Sequence, residues 1–488
     1  MGKRYTIDPI TRLEGHGKIE IFTDDNDNVT NAYLQVPQLR GFEKFCQGRP
    51  VEELPRIVTR LCGVCPEAHH LASAKAVDAV YNVEPPPAAK KLREMMYMAH
   101  FVHSHIAHFY ALAAADFVIG PQSNPAERNI LGVVGKVGLQ VGGEVLKQRS
   151  NAQKCQEIIG GKATHPVCAL PGGMSRAITE EEREQIEKWA KSAVDFALFS
   201  IELFKDVVLK NSNYVEIIKS DAYQLNIHNM GLVDENNKVN FYDGKVRVVD
   251  TNGQELFKYT PNQYLDYVAE HVEPFSYLKF PFLKKLGWKG FSEGQESGVY
   301  WATPLSRLNA ADGMATTLAQ QAYDEFYEIL GGKPVKATLA THWARLVEMV
   351  YAAERWLELA RDKEITSKEL RAPLTEKPGE GVGILEAPRG TLTHHYVTDE
   401  NGMVQKVNLI VGTTNNNAPI SLSIKKAAQG LIKKGAVVSE GLLNMVEMAF
   451  RAYDPCLSCA THSVPGRLPL LINIRDKDGE IIQTIRSD

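Results

Sequence analysis

Four of the seven cysteines form two Cys-x-x-Cys pairs, which lie near opposite ends of the 488-residue chain. The first pair is Cys62 and Cys65, and the second is Cys456 and Cys459. A two-residue spacer lets both sulfurs of a pair reach one ion, and thiolates are ligands for soft metals. We therefore expect a four-thiolate metal site if the fold brings the two pairs together.

The residue types alone leave four interpretations of these cysteines open. A structural zinc site would explain four thiolates, although zinc pairs are usually separated by about 15–20 residues. An iron–sulfur cluster usually shows tighter spacing, and redox dithiols usually open a helix in a thioredoxin-like unit. A two-metal or redox-metal thiolate site is the fourth. The remaining cysteines (Cys46, Cys155 and Cys168) are interpreted as small buried apolar residues.

The segments around the cysteines narrow this choice. They are RLEGH (12–16), RGFE (40–43), RLCGVC (60–65), APRG (387–390) and DPCLSCATH (454–462). Together they resemble the large, catalytic subunit of nickel–iron hydrogenases, from about residue 5 to the end of the chain. The RLCGVC and DPCLSCATH segments look most like the cytosolic, cofactor-coupled branch of that family (group 3).

The resemblance implies a role for each paired cysteine. Cys62 and Cys456 would be terminal nickel ligands, while Cys65 and Cys459 would bridge nickel to an iron that carries carbon monoxide and two cyanides. Hydrogen would be split heterolytically, with hydride between the metals. The proton would pass to Cys456 and then to Glu14, a carboxyl suited to shuttling protons if a dry site raises its pKa.

The same resemblance places further residues around the metals. Arg389 would lie over the open coordination position and bond one cyanide, and Thr413 would donate to the other. His69 would hydrogen-bond a bridging sulfur. Pro388 and Asp454 belong to the same surroundings, with Asp454 as the acidic partner of Arg389. Many membrane-bound relatives carry aspartate at the position of one serine, Ser104, so the outer carboxylate near Arg389 is missing here.

A second metal site is implied near the C-terminus. Glu43, His462 and the backbone carbonyl of Leu409 would hold magnesium or another divalent ion, since carboxylate, imidazole and water suit such a hard cation. A row of four histidines on one predicted helix is interpreted as packed side chains rather than a further metal site: His100, His103, His105 and His108.

Electrons that leave the nickel need a conductor, and no further cysteine cluster is available to provide one. We therefore expect a small partner subunit with iron–sulfur clusters, and beyond it a diaphorase-type flavin/NAD(P) module or a heterodisulfide-reductase module. Electron bifurcation is one known activity of this branch. NAD(P), ferredoxin, deazaflavin or heterodisulfide reductase would accept the electrons. The alternatives are a complex I-like subunit without hydrogenase activity and a zinc-stapled structural protein.

The elements that must position these residues are mainly helical, so we predict a mainly α, α+β domain over residues 1–462. Its parts are a β-rich start (5–37), a helical core (85–211), a β-rich insert (213–250), helices (308–361), a hairpin (391–411), and helices with the metal-site arm (420–462).

Individual patterns set several boundaries within this domain. One helix is expected over residues 88–118, and Thr179 with Glu182 forms a capping box for another. Helical runs are expected over residues 308–330 and 336–361. Asn401-Gly402 predicts a two-residue hairpin turn.

Residues 463–488 form a C-terminal extension with strand character. In matured relatives the chain ends after the histidine that corresponds to His462. We therefore expect a maturation endopeptidase to remove the extension once nickel is bound. The extension itself predicts a second hairpin over residues 468–485, around Asp478-Gly479.

Composition excludes several functional classes. The 55 Lys and Arg residues against 59 Asp and Glu give a net charge of −4, which offers no basic field for nucleic acid. No stretch approaches the about 18 apolar residues that a membrane helix needs, and no secretory signal begins the chain, so we expect a cytoplasmic protein. The glycine runs at 132–143 and 379–383 lack the spacing of a nucleotide-binding loop.

Overall fold

The computed structural model describes residues 2–36, 38–435, 437–461, 470–476 and 480–487. About 48% of the structure is helical and its sheets are small, which confirms the predicted mainly α, α+β class. The helices are α1 (Phe42–Phe45), α2 (Leu54–Ile57), α3 (Pro66–Val80), α4 (Pro87–Ile106), α5 (Ala114–Val118), α6 (Ile130–Val137), α7 (Leu139–Gly160), α8 (Glu180–Phe204), α9 (Ser212–Lys219), α10 (Tyr264–Tyr267), α11 (Pro304–Ala310), α12 (Thr317–Leu330), α13 (Thr341–Arg361), α14 (Gly412–Asn415), α15 (Asn417–Leu431), α16 (Glu440–Arg451) and α17 (Leu457–Ala460).

The strands form small sheets that are mostly antiparallel. They are β1 (Arg4–Ile7), β2 (Lys18–Thr23), β3 (Val29–Gln35), β4 (Ala169–Leu170), β5 (Gly173–Met174), β6 (His228–Val233), β7 (Lys238–Val239), β8 (Lys245–Val249), β9 (Glu255–Tyr259), β10 (Val268–Val272), β11 (Lys279–Leu283), β12 (Tyr300–Trp301), β13 (Gly313–Met314), β14 (Glu380–Ala387), β15 (Gly390–Thr398), β16 (Val404–Ile410), β17 (Leu470–Arg475) and β18 (Ile481–Ser487). The sheets are β1-β2-β3, β13-β7-β6-β8-β9 with β12 beside β6, β14-β15-β16, and the pairs β4-β5, β10-β11 and β17-β18.

The long helices α4, α7, α8 and α13 pack together as the core of the molecule. The first thirteen residues of α13 are all buried, because this helix has neighbours on every side. The predicted helix over residues 88–118 is present as α4, a π-helical segment (Ala107–Ala113) and α5 in unbroken succession. The predicted capping box of Thr179 and Glu182 begins α8 as expected.

Two of the predicted segments differ from the structure. The β-rich insert begins with a helix, α9, and only then returns to strands β6, β7 and β8. The helical run predicted over residues 308–330 is divided into α11 and α12 by the short strand β13, where Gly313 has a φ of 155°. Glycine can adopt this backbone conformation, whereas a residue with a side chain inside a helix cannot.

The predicted two-residue turn at Asn401-Gly402 is wrong, although the hairpin itself, β15 with β16, is present. The strands are joined by residues 399–403, and the N–H of Gly402 donates to the carbonyl of Asp399 at 3.0 Å. The turn thus runs from Asp399 to Gly402, and its central residues are Glu400 and Asn401. Gly402 is its last residue and has a φ of 76°.

At the C-terminus, β17 and β18 pair as an antiparallel hairpin, as predicted for the extension. Its expected turn, Asp478-Gly479, lies outside the described residues. Among the helices that the structure describes, none combines the length and the apolar character needed to cross a membrane.

Candidate metal centre

The two cysteine pairs come together although the chain separates them by almost four hundred residues. The Sγ atoms of Cys62, Cys65, Cys456 and Cys459 all lie within 4.8 Å of one another and are buried. Cys65 and Cys459 are 3.5 Å apart, Cys62 and Cys456 are 3.3 Å apart, and Cys456 and Cys459 are 2.6 Å apart. No other group of three or more metal-ligating side chains occurs in the described part of the chain.

Helix ends hold the two pairs. Cys62 follows a 3-10 turn (Val58–Leu61), and Cys65 directly precedes α3, whose first residue, Pro66, has no N–H that would need a partner inside the helix. Cys456 directly precedes α17, and Cys459 lies within it.

The electrostatics of the four sulfurs favour a bound cation. Burial raises the pKa of Cys456 and of Cys459 well above the usual thiol range. The pKa of Cys62 is lowered well below it, first because the Cys456 thiol donates to its thiolate, and then by Cys459 and Cys65. The Cys62 thiol therefore ionises readily, because the other three cysteines stabilise its thiolate by hydrogen bonds. Ionisation of all four requires positive charge among them, which a metal ion supplies.

Glu14 lies directly beside this cluster. Its Oε2 is 3.0 Å from Cys456 Sγ and accepts the backbone N–H of Ser458 at 3.1 Å. The backbones of Glu14 and Cys456 also form an isolated parallel bridge, in which Leu457 N donates to the Glu14 carbonyl at 3.0 Å. The carboxylate is thus held against the sulfur by the same turn that carries the cysteine.

Gly15 explains how this loop approaches so closely. It has a φ of 87°, and a Cβ there would lie 2.9 Å from Ser458 N. Any side chain at this position would push the loop, and Glu14 with it, away from the segment that carries Cys456 and Cys459 (the cysteine arm).

Arg389 interacts electrostatically with the cysteines of the cluster and is almost completely buried, with 3% exposure. Its Nη2 donates to Asp454 at 3.1 Å, and Asp454 itself adopts a left-handed backbone conformation with a φ of 53°. Nε and Nη1 of Arg389 have no hydrogen-bond partner among the residues that the structure describes. Two buried donors of a charged group without acceptors are costly, so they indicate an acceptor that occupies the space beside them.

Thr413 and Pro388 are two further residues that the resemblance placed around the metals. The hydroxyl oxygen of Thr413 accepts the backbone N–H of Cys456 at 3.0 Å, which leaves its own proton available to donate. The carbonyl of Pro388 accepts from Nη2 of Arg307 at 3.2 Å. Arg307 also donates to Glu348 and Glu386. This fully buried ion-pair cluster therefore fixes the turn between β14 and β15, which contains Arg389.

His69 lies one helical turn after Cys65 and is fully buried. Its Nδ1 is 3.2 Å from Nε2 of His394 on β15, and Nδ1 of His394 is 2.6 Å from the hydroxyl of Tyr396. The sequence motifs single out neither His394 nor Tyr396, because neither residue belongs to a segment that carries the family resemblance.

The proposed magnesium ligands are partly described. Oε1 of Glu43 accepts the backbone N–H of Leu409 at 2.8 Å, so the contact involves the amide group of Leu409 rather than its carbonyl. Nζ of Lys279 lies 3.4 Å from Glu43 and 3.3 Å from Glu270, whose pKa is raised by burial. The third expected ligand, His462, lies outside the described residues.

The four histidines of α4 and its π-helical continuation have separate partners, in keeping with packed side chains. His100 is 2.9 Å from Glu67, His105 is 3.1 Å from Glu348, and His108 bonds the carbonyl of Arg451 at 2.9 Å. Arg149 donates to His103 at 2.9 Å. Ser104, on the same helix, is fully buried.

Arg12 is a further residue for which the sequence motif suggested no role. Its Nη2 contacts Asp116 at 2.5 Å and Asn444 at 3.0 Å, and Arg451 contacts the other oxygen of Asp116 at 2.5 Å. This buried network joins the Glu14 loop to α5 and α16. It therefore anchors the loop two residues before the carboxylate.

Comparison with known proteins identifies the family. The family model described as nickel-dependent hydrogenase matches residues 40–128 and 203–462, and a HoxL-like model matches residues 4–39. The chain belongs to the nickel-dependent hydrogenase family. It is the catalytic large subunit of a nickel–iron hydrogenase, an oxidoreductase that acts on H2.

Similar hydrogenases cover the chain from end to end. A protein of Archaeoglobus profundus, named as an F420-non-reducing hydrogenase iron-sulfur subunit, is 51% identical over 99% of this chain and 100% of that protein. The "NAD-reducing hydrogenase HoxS subunit beta" of Cupriavidus necator is 35% identical over 99% of both chains. A crystal structure of an NAD+-reducing [NiFe]-hydrogenase matches with a TM-score of 0.88 and 37% identity, covering 94% of this chain and 99% of that one.

The residues of this hydrogenase subunit fit a nickel–iron centre. Four soft thiolates converge within one buried space, as a nickel–iron pair requires. A closed zinc site would satisfy the sulfurs but would leave the two buried N–H groups of Arg389 without acceptors. A centre that carries additional acceptor ligands satisfies both.

Proposed function

We propose that this subunit cleaves H2 heterolytically and reversibly at a nickel–iron centre held by Cys62, Cys65, Cys456 and Cys459. Cys65 and Cys459 would hold both metals, and Cys62 and Cys456 would hold nickel alone. When bound, the centre supplies the site at which H2 yields protons and electrons. The observation that carries the proposal is the convergence of four buried sulfurs, with the Glu14 carboxylate against one of them and the buried guanidinium of Arg389 close enough to interact with their charge.

The proton leaves through this chain's own side chains. Sγ of Cys456 holds it first, and Oε2 of Glu14, 3.0 Å away, accepts it from the sulfur. The N–H of Ser458 keeps that oxygen in place by a bond of 3.1 Å, so little reorganisation is needed for the transfer. Glu14 is only partly buried, so the proton can pass from it to solvent.

Arg389 and Thr413 would hold the non-protein ligands of the iron. These ligands would be carbon monoxide and two cyanides, and the two unpartnered N–H groups of Arg389 would donate to one cyanide. The hydroxyl proton of Thr413 serves the other cyanide. A planar guanidinium suits this position, since it presents several donors in a fixed arrangement.

Electrons leave through a separate subunit. The three cysteines outside the cluster are buried, and none belongs to a group of ligating side chains in the described residues. We propose a small partner subunit with iron–sulfur clusters as the conductor. Relatives named F420-non-reducing and NAD-reducing support a cytosolic cofactor-coupled type, with NAD(P) or a heterodisulfide-reductase module as the acceptor.

A magnesium ion near Glu43 belongs to the same proposal. Its ligands would be the Glu43 carboxylate, the Leu409 carbonyl and His462, with waters. Lys279 and Glu270 would border the site and hold its waters. Magnesium would then tie the Cys456–Cys459 arm to the sheet that contains β16.

Metal analysis with infrared spectroscopy tests the proposed centre. We expect about one nickel and one iron per chain in the purified complex, with stretching bands of bound carbon monoxide and cyanide. Cys65→Ser removes a bridging sulfur, because a serine oxygen is too hard and too basic to replace it, and both metals and bands should be lost. Cys155→Ser, another buried cysteine, is the control and should retain them. Zinc alone in the wild type would contradict the proposal.

A further inference from the structure

A hydrogen-bonded relay of four buried side chains begins at His69, one helical turn after Cys65, passes through strand β15 and returns to α3 at Ser73. His69 Nδ1 and His394 Nε2 are 3.2 Å apart, and His394 Nδ1 and the Tyr396 hydroxyl are 2.6 Å apart. The Tyr396 hydroxyl donates to Ser73 Oγ at 2.8 Å. All four side chains are fully buried, so bulk water does not compete with these bonds.

In such a relay each group donates to the next one, so all the hydrogen bonds have the same donor-to-acceptor direction. A tyrosine hydroxyl has a single proton, and Tyr396 gives it to Ser73, so its oxygen accepts from His394 Nδ1. In a neutral imidazole only one nitrogen carries a proton, and burial disfavours the charged form. Nε2 of His394 is then an acceptor, and the proton between the two rings belongs to Nδ1 of His69.

We propose that Ser73, Tyr396 and His394 are positioning residues that determine which nitrogen of His69 carries its proton. The direction seen here places that proton on Nδ1. The reverse direction, in which Ser73 donates to Tyr396, would place it on Nε2. Because Cys65 lies one helical turn before His69, this choice decides whether His69 offers the cysteine cluster a donor or an acceptor. The inference rests on the proposed metal centre.

The arrangement explains why a buried tyrosine lies on this strand. A phenylalanine would pack equally well, but it would leave Nδ1 of His394 and Oγ of Ser73 without the hydroxyl that joins them. The neighbouring histidine of β15, His395, has a different environment. It bonds Tyr264 at 2.8 Å and Glu380 at 2.7 Å on the other face of the sheet, so it takes no part in the relay.

The relay can be tested in the metal-free protein and in the protein loaded with zinc, a diamagnetic ion that four thiolates accept. Nitrogen-15 chemical shifts of selectively labelled histidines report which ring nitrogen is protonated. In the wild type we expect a proton on Nδ1 of His69 without metal. If zinc changes this tautomer, the tautomer of His394 should change with it. In Tyr396→Phe both rings should show mixed or uncoupled tautomers.

Two further variants separate this role from simple packing. Tyr110→Phe removes another buried tyrosine–serine bond of 2.8 Å, to Ser200, and should leave His69 and His394 as in the wild type. Ser73→Thr keeps the hydroxyl and should also behave as the wild type. Ser73→Ala leaves the Tyr396 proton free to go to Nδ1 of His394, so both rings should change together to the opposite tautomer, and this variant serves if Tyr396→Phe fails to fold. Nickel release to a chelator should be about tenfold faster in the relay variants.

The possible results distinguish the relay from the centre. Unchanged His69 and His394 shifts in both Tyr396→Phe and Ser73→Ala would overturn the relay, whatever the metal content. Independent tautomer changes of the two rings in the wild type would also overturn it. Failure of the four cysteines to bind zinc or nickel, with the tautomers as expected, would instead contradict the proposed function.

Discussion

At the scale of single residues, the contact between Glu14 and Cys456 is the clearest link between geometry and chemistry. It joins a sulfur of the metal cluster to a carboxylate that is held by the N–H of Ser458. The contact requires Gly15, whose backbone conformation lets the loop lie against the arm. A proton leaving the cluster at Cys456 therefore has one positioned acceptor.

Glu14→Gln tests this role. The amide keeps the shape of the side chain but cannot take up a proton, so nickel and iron content should persist while H2 oxidation falls by about a hundredfold or more. Dye-coupled H2 oxidation and elemental analysis provide the two measurements. Glu20→Gln, which removes a carboxylate from β2 outside the site, should keep near wild-type turnover. Wild-type turnover in Glu14→Gln would place the proton route elsewhere.

His70, next to His69, gives a prediction about pH. Its Nε2 accepts the N–H of Ala169 and its Nδ1 bonds the carbonyl of Pro55, and burial lowers its pKa to about 4. The unfolded chain protonates this residue near pH 6.5 and the folded chain does not. The folded state therefore loses stability as the pH falls from 6.5 towards 4, by about 2 kcal/mol between pH 6.5 and 5.

His70→Gln removes this titration. In urea unfolding of the metal-free protein, the free energy of unfolding of the variant should depend less on pH between 6.5 and 5 than that of the wild type. The comparison uses the slope rather than the absolute value, because the substitution also changes packing. Equal slopes would show that His70 does not remain neutral in the fold.

At the scale of elements, the approach of β14 to α3 positions the first cysteine pair. A Cβ at Gly381 would lie 2.3 Å from the carbonyl oxygen of Ala76, and one at Gly383 would lie 2.2 Å from that of Ala72. The strand therefore touches the helix backbone directly. These glycines, in a run too irregular for a nucleotide-binding loop, serve helix–strand packing instead.

Alanine at Gly381 or Gly383 should force α3 away from the sheet and displace Cys65. We expect a loss of about 2–4 kcal/mol in the free energy of unfolding and reduced nickel content. Gly379→Ala is a matched control in the same run, because a Cβ there meets no atom within 4 Å. Equal stability of the three variants would contradict the proposed packing role.

At the scale of the whole molecule, the fold gathers the N-terminal loop, the start of α3 and the C-terminal arm around one cluster. The ion pairs of Arg12 and Arg451 with Asp116 bind the first of these segments to α5 and α16. The arm also carries the extension that ends in the β17–β18 hairpin. The extension after His462 is therefore joined directly to the segment that carries Cys456 and Cys459, and its presence can affect the position of these cysteines.

We predict that residues after His462 are removed once nickel is bound. Until then the extension would keep the arm from closing over the iron. Intact-mass measurement should give a chain ending near His462 in active, nickel-loaded protein and the longer chain in nickel-free protein. Active, nickel-loaded chains that still end at Asp488 would refute the prediction.

Residue types and spacing predicted the four thiolate ligands, whereas the identity of the metals was implied only by the family resemblance. Two Cys-x-x-Cys pairs limit the ligands to thiolates whatever the fold, and the flanking motifs carried the family resemblance. The long helices were also predictable, because apolar periodicity, the capping box at Thr179 and Gly331 at the end of α12 are local signals. Short strands such as β13 and the turn at residues 399–403 were not, because their backbone depends on neighbours that are distant in sequence.

The family resemblance implied several residues around the sulfurs, but their contacts are set by the folded chain. The contact of Glu14 with Cys456 and the pairing of Arg389 with Asp454 join segments 442 and 65 residues apart, respectively. The relay through His394 and Tyr396 depends on how β15 crosses α3, and the unmet N–H groups of Arg389 depend on burial. Hydrogen bonds and desolvation arise between segments, so local residue patterns cannot specify them.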